Sequence, residues 1–246
     1  MATPPPTGST EVPGLELRPE GPALVATIDR GERNSFSGDM MRALAEAVHR
    51  AGQDPELRLL RIRAAGEAFC LGRDQEGDTA DELRRIASSI VAVGEAIRTS
   101  PLVSVCEVNG DAAGFGVGLT AACDVAVAAD SAEFWFPELE AGLAPTVVLS
   151  WLTRLLPPKR AFELVATGRR VGAAEAVALG LVTEAVPAGE VARRGDEWVA
   201  LLGERDGAAL RDLKRFLSLT RAMDDASAAH AAVDALAMGA ARRKGR

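Results

Sequence analysis

Pro101-Leu-Val-Ser-Val-Cys-Glu-Val-Asn-Gly-Asp-Ala-Ala-Gly-Phe-Gly-Val-Gly-Leu-Thr-Ala-Ala-Cys-Asp124 decides how this chain is read. Leu102 to Val108 is an almost unbroken apolar run, as a strand buried on both faces requires. Asn109-Gly110 is a turn signal. Small residues then lead from Ala113 through Gly118 into a helix expected to reach about Cys123. A glycine-containing turn between strand and helix lets a ligand approach backbone N–H groups closely, and N–H groups at a helix start favour negative charge. A dinucleotide-binding turn is the competing interpretation. Gly114-Phe-Gly-Val-Gly118 breaks its G-x-G-x-x-G spacing, because the third Gly comes one residue early. Asp124 and Asp130 flank the next strand, one before it and one after, so the acidic partner is weak too.

Outward toward the N-terminus, Leu15, Leu17 and Ala23 to Ile28 predict two strands around a turn at Glu20-Gly21-Pro22. Ser37 can cap a helix whose Met40, Met41, Leu44, Ala45 and Val48 share one face. His49 closes that helix as a solvated residue that complements the dipole. Leu59 to Arg63 predicts another strand, followed by a second glycine-containing turn, Gly66 to Asp74. Leu83, Ile86, Ile90, Val93 and Ile97 predict a helix over 79–98. Outward toward the C-terminus, Val125 to Ala129 and Phe134 to Phe136 predict strands. From Pro158 onward the pattern is helical: 160–167, 173–179, 191–202 and 208–242, the last broken near Asp224-Asp225, where His230 is expected to be a surface or packing residue. The whole is an α/β chain divided into a disordered Pro-rich leader at 1–13, a core at 14–190 and a helical region at 191–246.

Composition narrows the function. The 246 residues are 48% hydrophobic and 26% charged, with a net charge of −7. An acidic balance opposes general nucleic-acid binding. No apolar run approaches the ~20 residues of a membrane span. Cys70, Cys106 and Cys123 form no CxxC pair, and His49 and His230 are the only histidines. A Cys/His zinc site is therefore not expected, and the cysteines read as small buried hydrophobes in a reducing, cytoplasmic setting. Phe136-Pro137-Glu138 places an acid beside apolar groups, which raises a carboxyl pKa and makes a usable base.

Five segments, in order and spacing, resemble the crotonase family, the enoyl-CoA hydratase/isomerase superfamily. They are Asp29 to Ser37, Ala68 to Asp74, Pro101 to Asp124, Phe134 to Pro145 and Lys159 to Pro187. The resemblance implies the crotonase ββα spiral with a helical C-terminal region that drives assembly into a homotrimer or hexamer. It implies an acyl-CoA thioester substrate whose carbonyl is held by two backbone N–H groups, with coenzyme A as part of the substrate and no separate cofactor or metal. The donors it implies are the N–H groups of Leu71 and Phe115, and the acid is Glu138. Gly72, Asp74, Gly114, Gly118 and Trp151 are expected around the substrate, and Arg30, Arg33 and Lys214 near the CoA phosphates.

Departures from the family pattern decide the reaction class. Hydratases of the family use two Glu residues. The second aligns with Glu138 and the first with Gly118, which has no side chain. One acid suffices to take a proton from one carbon and return it to another, so the implied reaction is a double-bond shift. A hydratase with a degenerate acid pair and a non-catalytic acyl-CoA-binding subunit are the alternatives. Phe115 stands where the family usually has Gly, which places a ring near the site. Glu140 would share a face with Glu138 if the segment were extended. The Lys and Tyr of the decarboxylating branch are missing. Pro145-Thr-Val-Val-Leu-Ser-Trp151 replaces the family's glycine-rich loop with bulkier residues.

Overall fold

A computed structural model describes residues 10–74, 77, 79–221 and 223–244. Strand β1 (Thr10–Val12) pairs antiparallel with β2 (Leu15–Glu20), which pairs antiparallel with β3 (Ala23–Ile28). The expected leader at 1–13 is therefore ordered from Thr10, where backbone pairing with Leu17 holds it; residues 1–9 lie outside the described residues. Helix α1 (Gly38–Ala51) starts at Ser37, whose hydroxyl accepts the Met40 N–H at 3.2 Å. It leads to β4 (Leu59–Ala64), parallel to β3. Helix α2 (Ala80–Thr99) is capped reciprocally by Thr79 and Glu82, and β5 (Val103–Val108) returns parallel to β4.

The glycine-containing stretch follows as β6 (Ala112–Ala113) and α3 (Phe115–Ala122). Strand β7 (Val125–Ala129) lies parallel to β5, and β8 (Glu133–Trp135) parallel to β6. A 3₁₀ turn at Glu138–Ala141 precedes α4 (Thr146–Leu152) and α5 (Pro158–Thr167). Then come β9 (Val171–Gly172), α6 (Ala173–Leu179), β10 (Glu184–Val186), α7 (Val191–Gly203), α8 (Gly207–Thr220) and α9 (Asp225–Lys244). Among the described residues the main sheet runs β1-β2-β3-β4-β5-β7-β10, and a small sheet runs β6-β8-β9.

Strand alternation sorts the core. Leu24, Ala26 and Ile28 of β3, with Leu60 and Ile62 of β4, join Met40, Met41, Leu44 and Val48 of α1 on one face. Ala23, Val25 and Leu59 face the other way and pack against Val199, Leu202 and Leu210. Helices thus cover both faces, as parallel strands require. Each fully buried Leu or Ile contributes about 1.5–3 kcal/mol through removal from water. Polar ties anchor the second face. Arg61 Nε donates to Glu107 at 2.5 Å and its Nη1 to Asp196 of α7 at 2.7 Å. Burial raises the Glu107 pKa although Arg61 opposes it. Lys214 of α8 is 6% exposed, and its Nζ donates to Ile97 O, Leu102 O and the Asp124 carboxylate at 2.6–2.8 Å.

Candidate active site

Two backbone turns converge because a glycine lets them touch. A Cβ on Gly116 would lie 2.0 Å from Cys70 O, so any side chain there would force α3 away from the 68–74 turn. Ala113 N donates to the same carbonyl at 2.9 Å. The Cys70 thiol is fully buried and its pKa is pushed up to about 12, which removes it as a nucleophile at neutral pH. Asn34 pins the preceding loop: it is 1% exposed, donates to Ala65 O and Ala68 O, and accepts the Arg30 N–H. Its φ of 47° is the left-handed conformation that Asn tolerates.

Phe115 is the first helical residue of α3, and its N–H has no acceptor among the described residues. Gly114 before it has φ +51°, a value that suits glycine. The Phe115 ring packs edge-on against buried Phe36, centroids 5.1 Å apart, rather than simply projecting into the substrate space.

The second expected donor requires correction. Leu71 N–H donates to Arg33 O at 2.8 Å, so it is already engaged. Two residues on, Arg73 bridges Phe36 in a short parallel ladder: Phe36 N donates to Gly72 O, and Asp74 N to Phe36 O. Alternation along that segment turns the Arg73 N–H to the opposite side, and it has no acceptor among the described residues. On that side the same turn pairs with β6 through Cys70 and Ala112.

Glu138 begins the 3₁₀ turn, and its carboxyl lies against Gly114. A Cβ on Gly114 would be 2.4 Å from Glu138 Oε1. Oε2 is buried without a hydrogen-bond partner among the described residues. Burial raises the pKa of this carboxyl, while its own backbone N–H and the Arg73 charge work in the other direction. The net rise is the one expected from Phe136 and Pro137 beside it. Glu140 is exposed, because the turn is helical and the alternation of an extended segment does not apply.

Arg33, Leu71, Gly72, Gly114, Phe115 and Glu138 line one cavity of about 310 Å³. Arg73 joins them, and Leu83, Ala87, Ile90, Leu143, Val147 and Val148 supply an apolar wall from α2, α4 and the segment before α4. A polar cleft of about 610 Å³ shares Arg33 and Arg73 with it and adds Arg30, Glu32, Ser35 and Asp74. Arg30 Nη1 donates to Ser35 O and to Asp74 at 2.7 Å, so those two expected residues hold the outer loop together. Arg33 has no ion pair among the described residues.

Three expected residues fall outside both the cavity and the cleft. Lys214 is buried beneath α8 by the carbonyls and the carboxylate it serves, so it cannot reach a phosphate. Gly118 faces Val148, whose Cγ2 would be 2.8 Å from a Cβ there. A side chain at 118 therefore does not project freely into the site. Trp151 is 8% exposed, lies behind that wall and carries Arg98 on its ring at 4.5 Å. The sequence presents α4 only as a bulkier segment, because Thr146, Val147 and Val148 are β-branched and no side chain caps the helix.

This spiral of parallel strands, with two turns converging on a cavity, is the crotonase fold. The chain belongs to the enoyl-CoA hydratase/isomerase family, whose profile matches residues 20–242. It is 32% identical over 201 residues to a putative enoyl-CoA hydratase of Thermus thermophilus, covering 79% of each chain. It is 33% identical over 216 residues to a carnitinyl-CoA dehydratase of Salmonella enteritidis, covering 85% of this chain and 82% of that one. An enoyl-CoA hydratase crystal structure from Mycobacterium smegmatis superposes with a TM-score of 0.87 at 28% identity, covering 93% of this chain and 91% of that one.

Proposed function

We propose that this protein shifts the double bond of an enoyl-CoA thioester, with Glu138 carrying the proton. One observation carries the reading: Glu138 is the only acid among the described residues lining the inner cavity, and one of its oxygens is buried without a partner. The thioester oxygen accepts the N–H groups of Arg73 and Phe115. Glu138 takes a proton from the saturated carbon next to the double bond, α to the carbonyl or at the vinylogous γ position, and the C–H electron pair is delocalised onto that oxygen as a dienolate. As the C=O re-forms, the far end of the dienolate takes the proton back from Glu138, and the double bond is left one position along. Fixed N–H dipoles stabilise the anion without reorganising.

Arg33 and Arg73, at the junction of cavity and outer cleft, suit the phosphates of the CoA moiety. Arg30, already tied to Asp74 and Ser35, supports that cleft. The apolar wall suits a hydrocarbon acyl chain. Assembly into a homotrimer or hexamer is part of the same proposal, supported by the apolar side chains that α8 and α9 leave uncovered. Hydration is the second reading, favoured by the hydratase name of the Thermus relative. Mass spectrometry of the products from a set of enoyl-CoA thioesters separates the two. Unchanged mass with a moved double bond supports isomerisation, and gain of one water supports hydration. Neither product, with thioester binding retained, would identify a binding subunit.

A further inference from the structure

We propose that Val148 and Trp151 form a built wall that keeps water from the carbon Glu138 serves, and so decide that the site moves a proton rather than adding water. This rests on Glu138 being the proton carrier. Val148 is 4% exposed, and it both lines the cavity and presses on α3 at Gly118. Behind it the Trp151 indole occupies a slot that Gly94 of α2 creates: a Cβ there would lie 2.5 Å from Cη2, while Gly118 of α3 lies in ordinary van der Waals reach of the same ring, 3.5 Å from Cζ3 to a Cβ. Arg98 closes the slot with its guanidinium 4.5 Å from the ring centroid, and its Nη1 is buried with no acceptor among the described residues. A buried, unpaired guanidinium nitrogen is costly, and it persists here on the face of an indole.

The chemistry follows from what the wall lacks. Adding water forms a C–O bond at the β carbon and delivers a proton to the α carbon. The attacking water must be held by polar partners, typically two to four of them. Glu138 supplies one. Val148, with Leu83, Ala87, Ile90 and Val147, supplies none, and the polar side chains that remain in the lining, Thr146, Arg33 and Arg73, stand at exposed or cleft-side positions. A proton shift needs no such water, only a carboxyl that exchanges one hydrogen between two carbons.

The test uses the full chain, unbranched enoyl-CoA thioesters, and water enriched in heavy oxygen and deuterium. Val148→Ala opens the wall, and Val148→Thr keeps its shape while adding a hydroxyl that can hold water. In at least one folded variant the ratio of hydrated to isomerised product should rise by about tenfold or more, equivalent to about 1.4 kcal/mol between the two barriers. A packing role alone would lower the melting temperature and leave that ratio alone. An unchanged ratio in both folded variants, with the parent still moving the double bond, overturns the wall and spares Glu138. A parent that moves no double bond overturns the proton-carrier reading and the wall with it. Parent enzyme that already yields mainly hydrated product overturns the wall directly.

Discussion

A carboxylate buried with one unpartnered oxygen sets stability against function, and Glu138 is such a group. Its folded pKa lies above its unfolded value, so the folded chain binds that proton more tightly than the unfolded one. The associated stability is present at low pH and is lost as pH rises through the folded value. Glu138→Gln should therefore melt higher than the parent at neutral pH. The gap should close as pH falls through the usual carboxylate range, as calorimetry across pH would record. The same change should lower turnover by about 10²–10⁴-fold, because an amide keeps the shape but cannot accept the proton. An acid beside Phe136 and Pro137 and a glycine turn opening a helix are local signals in the sequence, whereas Phe115 as a donor is what the family resemblance implies. The second donor was not legible. Which N–H is free depends on Arg33 O reaching Leu71, a contact made by a distant loop. Lys214 misled for the related reason that a charged residue on a helix gives no hint of the carbonyls waiting beneath it.

At the scale of elements, periodicity carried the reading. Strands β2 to β5 and helices α1 and α2 repeat apolar residues at strand or helix spacing and carry recognisable caps and turns. Helix α4 is seven residues long, has no side-chain cap and is apolar on several sides, so neither signal marks it. The short strands β6 and β9 exist only through partners in the small sheet. Contact between α3 and the 68–74 turn is the element-level feature on which the site depends. Gly116→Ala places a methyl 2.0 Å from a backbone oxygen, which a side-chain rotation cannot relieve. It should cost about 3 kcal/mol or more, or abolish folding, and chemical denaturation would measure it. Helix α8 is held by Lys214. Lys214→Met should cost about 3 kcal/mol or more, since it leaves carbonyls and Asp124 without their buried donor. A loss below about 1 kcal/mol, the worth of an exposed pair, would mean the clamp is not closed.

Across the whole molecule, the family resemblance carried the fold, and the structure adds how the C-terminal helices are used. Val199, Leu202 and Leu210 of the helical region that the resemblance assigns to assembly cover the sheet of their own chain. Leu213, Leu217, Val233, Leu236 and Met238 remain 53–77% exposed, a face larger than a solvated helix pair needs. Light scattering should give the mass of three or six chains at micromolar concentration, and Leu236→Glu should shift it toward one; a parent monomer would contradict this. None of the helices described is long and apolar enough to cross a membrane. The central claim is chemical: one half-buried acid moves a proton between carbons of a CoA thioester. Its most direct test is to incubate the parent and Glu138→Gln with an enoyl-CoA thioester in deuterated water and follow the substrate carbons by NMR. The account predicts that the parent moves the double bond without forming a new C–O bond and largely retains the migrating hydrogen, and that Glu138→Gln binds the thioester but leaves the double bond in place. Equal double-bond movement by both proteins, or hydrated thioester as the parent's main product, would contradict it.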